Sequence, residues 1–176
     1  RDKMGDYLIH TDPAKCVACH ACEIACKVKN QVPAGASLGK IVVLGPKLMN
    51  GKPMMSSLFV PCFHCEDAWC LNACPVNAIR KRDKDGLVYI LRELCVGCKS
   101  CILACPWHIP QWDATAGKAM KCDMCMDRID EDLEPACVAV CPTDALQFGE
   151  PAALSQKSRE EYGLSLLGRS RTRYGH

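Results

Sequence analysis

The sequence predicts an α+β fold of two related halves, one inserted within the other, with a β-hairpin connector and a C-terminal extension. Three observations point there. Sixteen cysteines fall into four groups of four. Short β-type runs and turn signals, rather than long helical periods, flank those groups. With cysteine set aside, the 49% hydrophobic content leaves few large apolar side chains, with only 3 Phe and 3 Trp. A chain so composed needs metal staples beside its core.

Cys95, Cys98, Cys101 and Cys105, followed by Pro106, have the bacterial ferredoxin spacing for iron–sulfur ligation. The first three thiolates lie on a loop that wraps one corner of a cubane. The fourth comes one helical turn later, points away and can ligate a different cluster. Cys16, Cys19, Cys22 and Cys26 repeat the spacing with Lys27 in place of proline, which lets the following helix run to about Val28. Cys62, Cys65, Cys70 and Cys74, then Pro75, widen the middle gap around Asp67, Ala68 and Trp69. Cys122, Cys125, Cys137 and Cys141, then Pro142, place Met126 to Ala136 in the second gap.

In chain order, Tyr7–His10 reads as a strand ended by Asp12-Pro13. Residues 31–60 read as a β-hairpin covering the clusters, with Ile41–Leu44 and Leu58–Val60 as apolar runs and Asn50-Gly51 as a turn. Ala78–Lys81 and Leu87–Ile90 flank the glycine-bearing turn Asp83–Gly86, and Ala145–Phe148 closes as a strand. Glu150-Pro151 starts a helix to about Tyr162, followed by a leucine- and arginine-rich docking tail.

These elements make an internal repeat of strand, cysteine run, hairpin, cysteine run and strand. Two pseudo-symmetric bacterial ferredoxin-like units result. Residues 61–117 form the inner one, and residues 7–30 with 118–149 form the split outer one. Residues 31–60 are the connector and residues 150–176 the C-terminal extension.

Sixteen ligands divide into four 4Fe–4S clusters. In two-cluster ferredoxins the last cysteine of each run ligates the cluster of the other run. Applied here, Cys62, Cys65 and Cys70 share a cluster with Cys105, and Cys95, Cys98 and Cys101 share one with Cys74. Cys16, Cys19 and Cys22 join Cys141, and Cys122, Cys125 and Cys137 join Cys26. Internal disulfides strain at two-residue spacings. Zinc uses Cys-x-x-Cys pairs but does not explain the third close cysteine, the fourth one turn later, or the proline after three of the four runs. A zinc-stapled interaction or RNA-binding module remains the alternative from another class.

Other functions find little support. The formal charge of +2 omits the clusters, no run of 18 apolar residues spans a membrane, and Arg1–Gly5 carries no apolar signal region. No glycine-rich nucleotide motif is present. Sixteen thiols fit a reducing, cytoplasmic, anaerobic setting. His20, His64 and His108 read as donors around the ligands or surface groups, and Trp69, Trp107 and Trp112 as shields against water. Asp123, Asp127, Asp130, Glu131, Asp132 and Glu134 read as a solvated helix face, with a docking patch for a basic partner as the alternative. Arg169, Arg171 and Arg173 lack the aromatic platform that nucleic-acid binding needs.

Cys95–Trp107, Cys122–Asp130 and Pro135–Gly149 together resemble the four-cluster electron-transfer subunits of the DMSO reductase family, and the resemblance covers residues 7–149. It implies no catalytic residues on this chain. The implied role is a relay between a large molybdenum- or tungsten-pterin catalytic subunit and a second electron-carrier subunit or soluble redox protein. Formate dehydrogenases, polysulfide and nitrite reductase systems and aldehyde or benzoyl-CoA type oxidoreductases are among the enzymes it allows, and a hydrogenase or carbon monoxide dehydrogenase is the alternative. The chain also lacks the long C-terminal extension of membrane-bound members, which favours a soluble complex.

Overall fold

The computed structural model describes residues 7–173; residues 1–6, with the Arg1–Gly5 segment, and residues 174–176, the end of the C-terminal extension, lie outside the described residues. In chain order its elements are β1 (Leu8–Thr11), α1 (Ala21–Lys29), β2 (Lys40–Met49), β3 (Lys52–Val60), α2 (Trp69–Asn72), β4 (Ile79–Lys81), β5 (Val88–Ile90), α3 (Ser100–Ala104), β6 (Gln111–Asp113), β7 (Lys118–Met120), α4 (Met126–Ile129), α5 (Ala136–Ala139), β8 (Leu146–Gly149) and α6 (Pro151–Arg173). The strands form antiparallel two-stranded sheets. Three of these are local hairpins, β2 with β3, β4 with β5 and β6 with β7. The fourth joins β1 to β8 from opposite ends of the cysteine-bearing segment, with Leu8 opposite Gly149 and Thr11 opposite Leu146.

Both of these outer strands lie one residue later than the sequence suggests. The Asp12 N–H bonds the Ala145 carbonyl at 2.7 Å, which carries the pairing one residue beyond Thr11. Lys27 has the expected effect on α1, which runs nine residues to Lys29, whereas α3 stops after five, ahead of Pro106. The Lys27 ammonium also bonds the Ala36 carbonyl at 2.5 Å, so the departure from proline ties the connector to α1.

The connector hairpin turns at Asn50-Gly51, but it covers the cysteines only at its base. Ile41 and Phe59 are buried there, Thr11 Oγ1 donates to Phe59 O at 2.9 Å, and Ser57 Oγ donates to Cys16 O at 3.0 Å. Farther out, Leu48, Met49, Met54 and Met55 are exposed.

Three other expectations are corrected. The β6–β7 hairpin was not expected; it forms because Asp113 Oδ1 accepts the Thr115 and Ala116 N–H groups at 3.0 and 3.1 Å and so builds the turn. It spans the 117/118 boundary between the two expected units. The last helix does not end near Tyr162 but continues to Arg173, since an internal glycine such as Gly163 costs a helix only about 1 kcal/mol and no proline follows. Finally, the acidic stretch is not simply a solvated face, because α4 is only four residues long. Asp127 accepts from Lys29 Nζ at 2.6 Å, and Asp130 pairs with Arg82 at 2.9 Å and Lys84 at 2.5 Å. Those pairs fasten the insertion to α1 and to the β4–β5 turn.

The repeat is visible in the backbone. The residue two past the first cysteine of every group is left-handed: Ala18, His64, Gly97 and Met124 have φ of 52°, 45°, 72° and 59°. Three past the last cysteine of the proline-ended groups, Asn77, His108 and Asp144 have φ of 51°, 52° and 51°. Gly97 differs from its counterparts in what surrounds it. A Cβ there would stand 2.7 Å from the Gly117 carbonyl in the β6–β7 turn, whereas one at Gly51, also left-handed, would meet nothing within 4 Å. Gly97→Ala should therefore destabilise the cluster-loaded protein by about 3 kcal/mol and Gly51→Ala by about 1 kcal/mol. Thermal unfolding checks this, and equal midpoints for the two variants would remove the steric argument.

Candidate metal centres

The cysteine side chains are part of the interior, gathered in three apolar clusters. One holds Cys70 and Cys101 with Ile79 and Val88, and Cys74 and Cys95 pack against it. A second holds Cys26, Cys62, Cys105 and Cys122 with Leu38, Ile109 and Met120. The third holds Cys22 and Cys137 with Ile41, Phe59 and Leu146, and Cys16 and Cys141 pack against it.

Cysteines from different runs line common cavities. Cys62, Cys65 and Cys70 line one of about 220 Å³ together with Cys105. Cys16, Cys19 and Cys22 line another with Cys141, and Cys95, Cys98 and Cys101 line a third with Cys74. For the remaining four, Cys26 and Cys137 each feel the charge of Cys125, and Cys122 feels that of Cys137. The packing of α5 against α1 brings Cys137 to Cys26.

Burial is the main perturbation of these thiols. It pushes Cys22 and Cys137 up to about 12 and Cys26 and Cys101 up to about 11, and drives Cys122 well above the ordinary thiol value. At Cys122 the Met124 N–H, 3.4 Å from Sγ, opposes it. The His64 N–H also points at Cys62 Sγ, at 3.5 Å, and the Ala78 N–H at Cys74 Sγ, at 3.2 Å. The first two belong to the left-handed residues, so that conformation aims amides at sulfur.

Two buried polar side chains share the largest of these cavities. His64 is 2% exposed, and its Nδ1 accepts the Val88 N–H at 2.9 Å while its Nε2 has no partner. Burial, then the charge of Lys121, holds the ring well below the ordinary imidazole value. Lys121 is 6% exposed; it donates to Val88 O and, at 2.6 Å, to Cys122 O. Among the described residues no carboxylate pairs with it. Sequence alone offers no reason to rank His64 above His20 or His108, both exposed here. Of the tryptophans, Trp69 and Trp107 stand at the rim of the same cavity and are 57% and 56% exposed, so they shield it only in part. Trp112 lies under the Lys99 ammonium, 4.3 Å from its ring centroid.

These residues fit 4Fe–4S clusters. All sixteen cysteines are unbridged, the donor set is soft thiolate, amides point at three of the sulfurs, and His64 and Lys121 line the largest of the cysteine-lined cavities. No described helix is long and apolar enough to cross a membrane.

Comparison with known proteins agrees. A 4Fe-4S dicluster domain family matches residues 54–151, and a 4Fe-4S binding domain family matches residues 13–29. The thiosulfate reductase electron transfer subunit of Salmonella typhi is 41% identical over 147 residues, covering 82% of this chain and 76% of that protein. The B subunit of the polysulfide reductase of Wolinella succinogenes is 40% identical, with 81% and 75% covered. The B subunit of the anaerobic dimethyl sulfoxide reductase of Escherichia coli is 33% identical, with 93% and 83% covered. With sixteen cysteines, the protein carries four 4Fe–4S clusters.

Because the clustered cysteines are also the core, stripping iron should unfold the chain rather than leave a folded apoprotein. Chelation under reducing conditions is expected to abolish the cooperative thermal transition together with the visible absorbance. A metal-free chain that kept its melting transition would show that the apolar clusters suffice.

Proposed function

Since this protein belongs to the family of iron–sulfur electron-transfer subunits that serve DMSO-reductase-type complexes, we propose that it relays electrons to a large molybdenum- or tungsten-pterin catalytic subunit from a second redox partner. It is the electron-transfer and not the catalytic component. Among the partner types that the resemblance allows, a reductase of sulfur compounds is the best supported, because the 41% and 40% identical relatives are named for thiosulfate and polysulfide. Formate dehydrogenase and aldehyde or benzoyl-CoA partners have weaker support. A reducing, cytoplasmic setting is the reading that the unbridged thiols favour.

The observation that carries the relay is the order in which the cysteine sets neighbour one another. The ligand sets of this reading are Cys74, Cys95, Cys98 and Cys101; Cys62, Cys65, Cys70 and Cys105; Cys26, Cys122, Cys125 and Cys137; and Cys16, Cys19, Cys22 and Cys141. Each apolar cluster contains cysteines of two successive sets: Cys101 with Cys70, then Cys62 with Cys122, then Cys137 with Cys22. That makes one line. Its first set includes Cys98 and its last Cys19, the two exposed cysteines of the chain, while the buried cysteines of the second and third sets include Cys62 and Cys122. Bound clusters supply one-electron redox chemistry. The protein holds them in sequence, buries cysteines of the middle ones more deeply than Cys98 and Cys19, and leaves an end accessible to each partner.

The same reading makes the two ferredoxin-type units nested. It is supported by the pairing of β1 with β8 around everything between them and by the left-handed residue shared by all four runs.

The full chain is expected to bind about sixteen irons and as many labile sulfides, four per cluster. Cys105→Ala should disrupt the cluster of Cys62, Cys65 and Cys70 and spare that of Cys95, Cys98 and Cys101, as followed by EPR and iron counting. Loss of the latter instead would refute the ligand sets. Affinity capture from native extract should bring down a pterin-containing subunit, and dithionite-reduced protein should be reoxidised by thiosulfate or polysulfide only in its presence. Reoxidation by the chain alone, or capture without any pterin protein, would end the relay proposal.

A further inference from the structure

We propose that the His64 Nε2–H donates a hydrogen bond to sulfur at the centre formed by Cys62, Cys65, Cys70 and Cys105, and thereby raises the reduction potential of that cluster. The inference rests on the ligand sets proposed above and assigns a positioned donor to one of them.

Geometry fixes the tautomer. Nδ1 accepts the Val88 N–H at 2.9 Å, so its lone pair is engaged and the ring proton resides on Nε2. That donor is buried and has no protein acceptor among the described residues. An unpaired buried donor forfeits its hydration with nothing in return, which a fold does not keep without a use. His64 lines the cavity shared by the four cysteines. The one carboxylate lining it, Asp67, is exposed and accepts from Asn72 at 2.8 Å, which leaves sulfur as the acceptor for Nε2–H. The ring is held in place from two sides. The backbone is left-handed at φ 45°, and Val88 belongs to a strand buried in the adjacent core. His20 and His108 are exposed, and His20 bonds Glu23 at 3.2 Å, so neither can play this part.

The direction of the effect follows from charge. Reduction adds one electron, which makes cluster and thiolate sulfur better acceptors, so a fixed donor stabilises the reduced form more than the oxidised one. Lys121 acts in the same sense, its ammonium anchored to the carbonyls of Val88 and Cys122 beside that cavity. Val88 therefore orients both groups, accepting from Lys121 and donating to His64.

The test is a potentiometric EPR titration of the fully loaded chain and its His64→Leu and His64→Gln variants, with iron and sulfide counted in each. His64→Leu should retain four clusters and lower the potential of one. At a fixed potential its reduced-to-oxidised ratio should fall at least tenfold, which is about 59 mV for a one-electron couple. His64→Gln, which keeps an N–H donor, should recover part of the shift. In the unmutated chain, histidine labelled with nitrogen-15 should give a hyperfine coupling to that reduced cluster in pulsed ENDOR, a measurement that stands even where the leucine variant fails to load. Four unchanged potentials in a loaded His64→Leu chain, or no nitrogen-15 coupling, would overturn the hydrogen bond while leaving the ligand sets intact. A shift on a cluster other than the one lost in Cys105→Ala would instead overturn the ligand sets.

Discussion

Cysteine fills interior positions that leucine, isoleucine and phenylalanine occupy in an ordinary domain, and the architecture follows from that substitution. Each of the three apolar clusters mixes cysteines from distant runs with a few aliphatic groups. A thiol buries like a small hydrophobe, but it becomes a metal ligand only on losing its proton. Burial, joined by nearby negative charge, pushes Cys22 and Cys137 up to about 12, so the packed, metal-free thiols resist the form that iron needs. Folding and cluster loading are therefore linked: iron supplies the charge compensation that permits thiolates inside, and the ligated sulfurs supply cross-links that short strands and one-turn helices could not replace.

Local geometry serves the same end. A left-handed residue between the first two cysteines of every run costs about 1–3 kcal/mol where it is not glycine, yet it recurs at Ala18, His64 and Met124. What it achieves is visible at His64 and Met124, whose amides turn toward the sulfur of the preceding cysteine. Ordinary secondary structure would spend those N–H groups on carbonyls. Between residues 61 and 149, where three of the four cysteine runs lie, every strand and helix is only three to five residues long.

This division explains what could be read from sequence. Cysteine spacing is dictated by the group it wraps, so the four runs, the α+β class and the iron–sulfur chemistry were legible residue by residue. The length of α1 followed from one substitution, Lys27 for proline. The β6–β7 hairpin was not legible, since its strands are three residues long and its turn depends on Asp113 capping two amides. The acidic insertion was misjudged because its partners, Lys29, Arg82 and Lys84, lie at least 46 residues away in sequence. His64 could not be told from His20 or His108, since what distinguishes it is a hydrogen bond from Val88, 24 residues on. Local rules reach the ligands; groups that tune them are placed by tertiary contact.

Lys121 shows how far the interior is fitted to a negative occupant. An ammonium at 6% exposure, held by two backbone carbonyls and no carboxylate among the described residues, would be costly in an apolar core. The usual remedies are to lose the proton or to find an anion. Here four cysteines line the cavity that Lys121 borders, and their thiolates bring negative charge to it when they bind a cluster. Cation and ligand set thus have complementary costs: the buried lysine is tolerable only beside thiolates, and thiolates at such depth are easier to form beside a lysine. A core that solves both problems at once needs neither a large supply of apolar residues nor a buried carboxylate, and this sequence has few of the first and, at that site, none of the second.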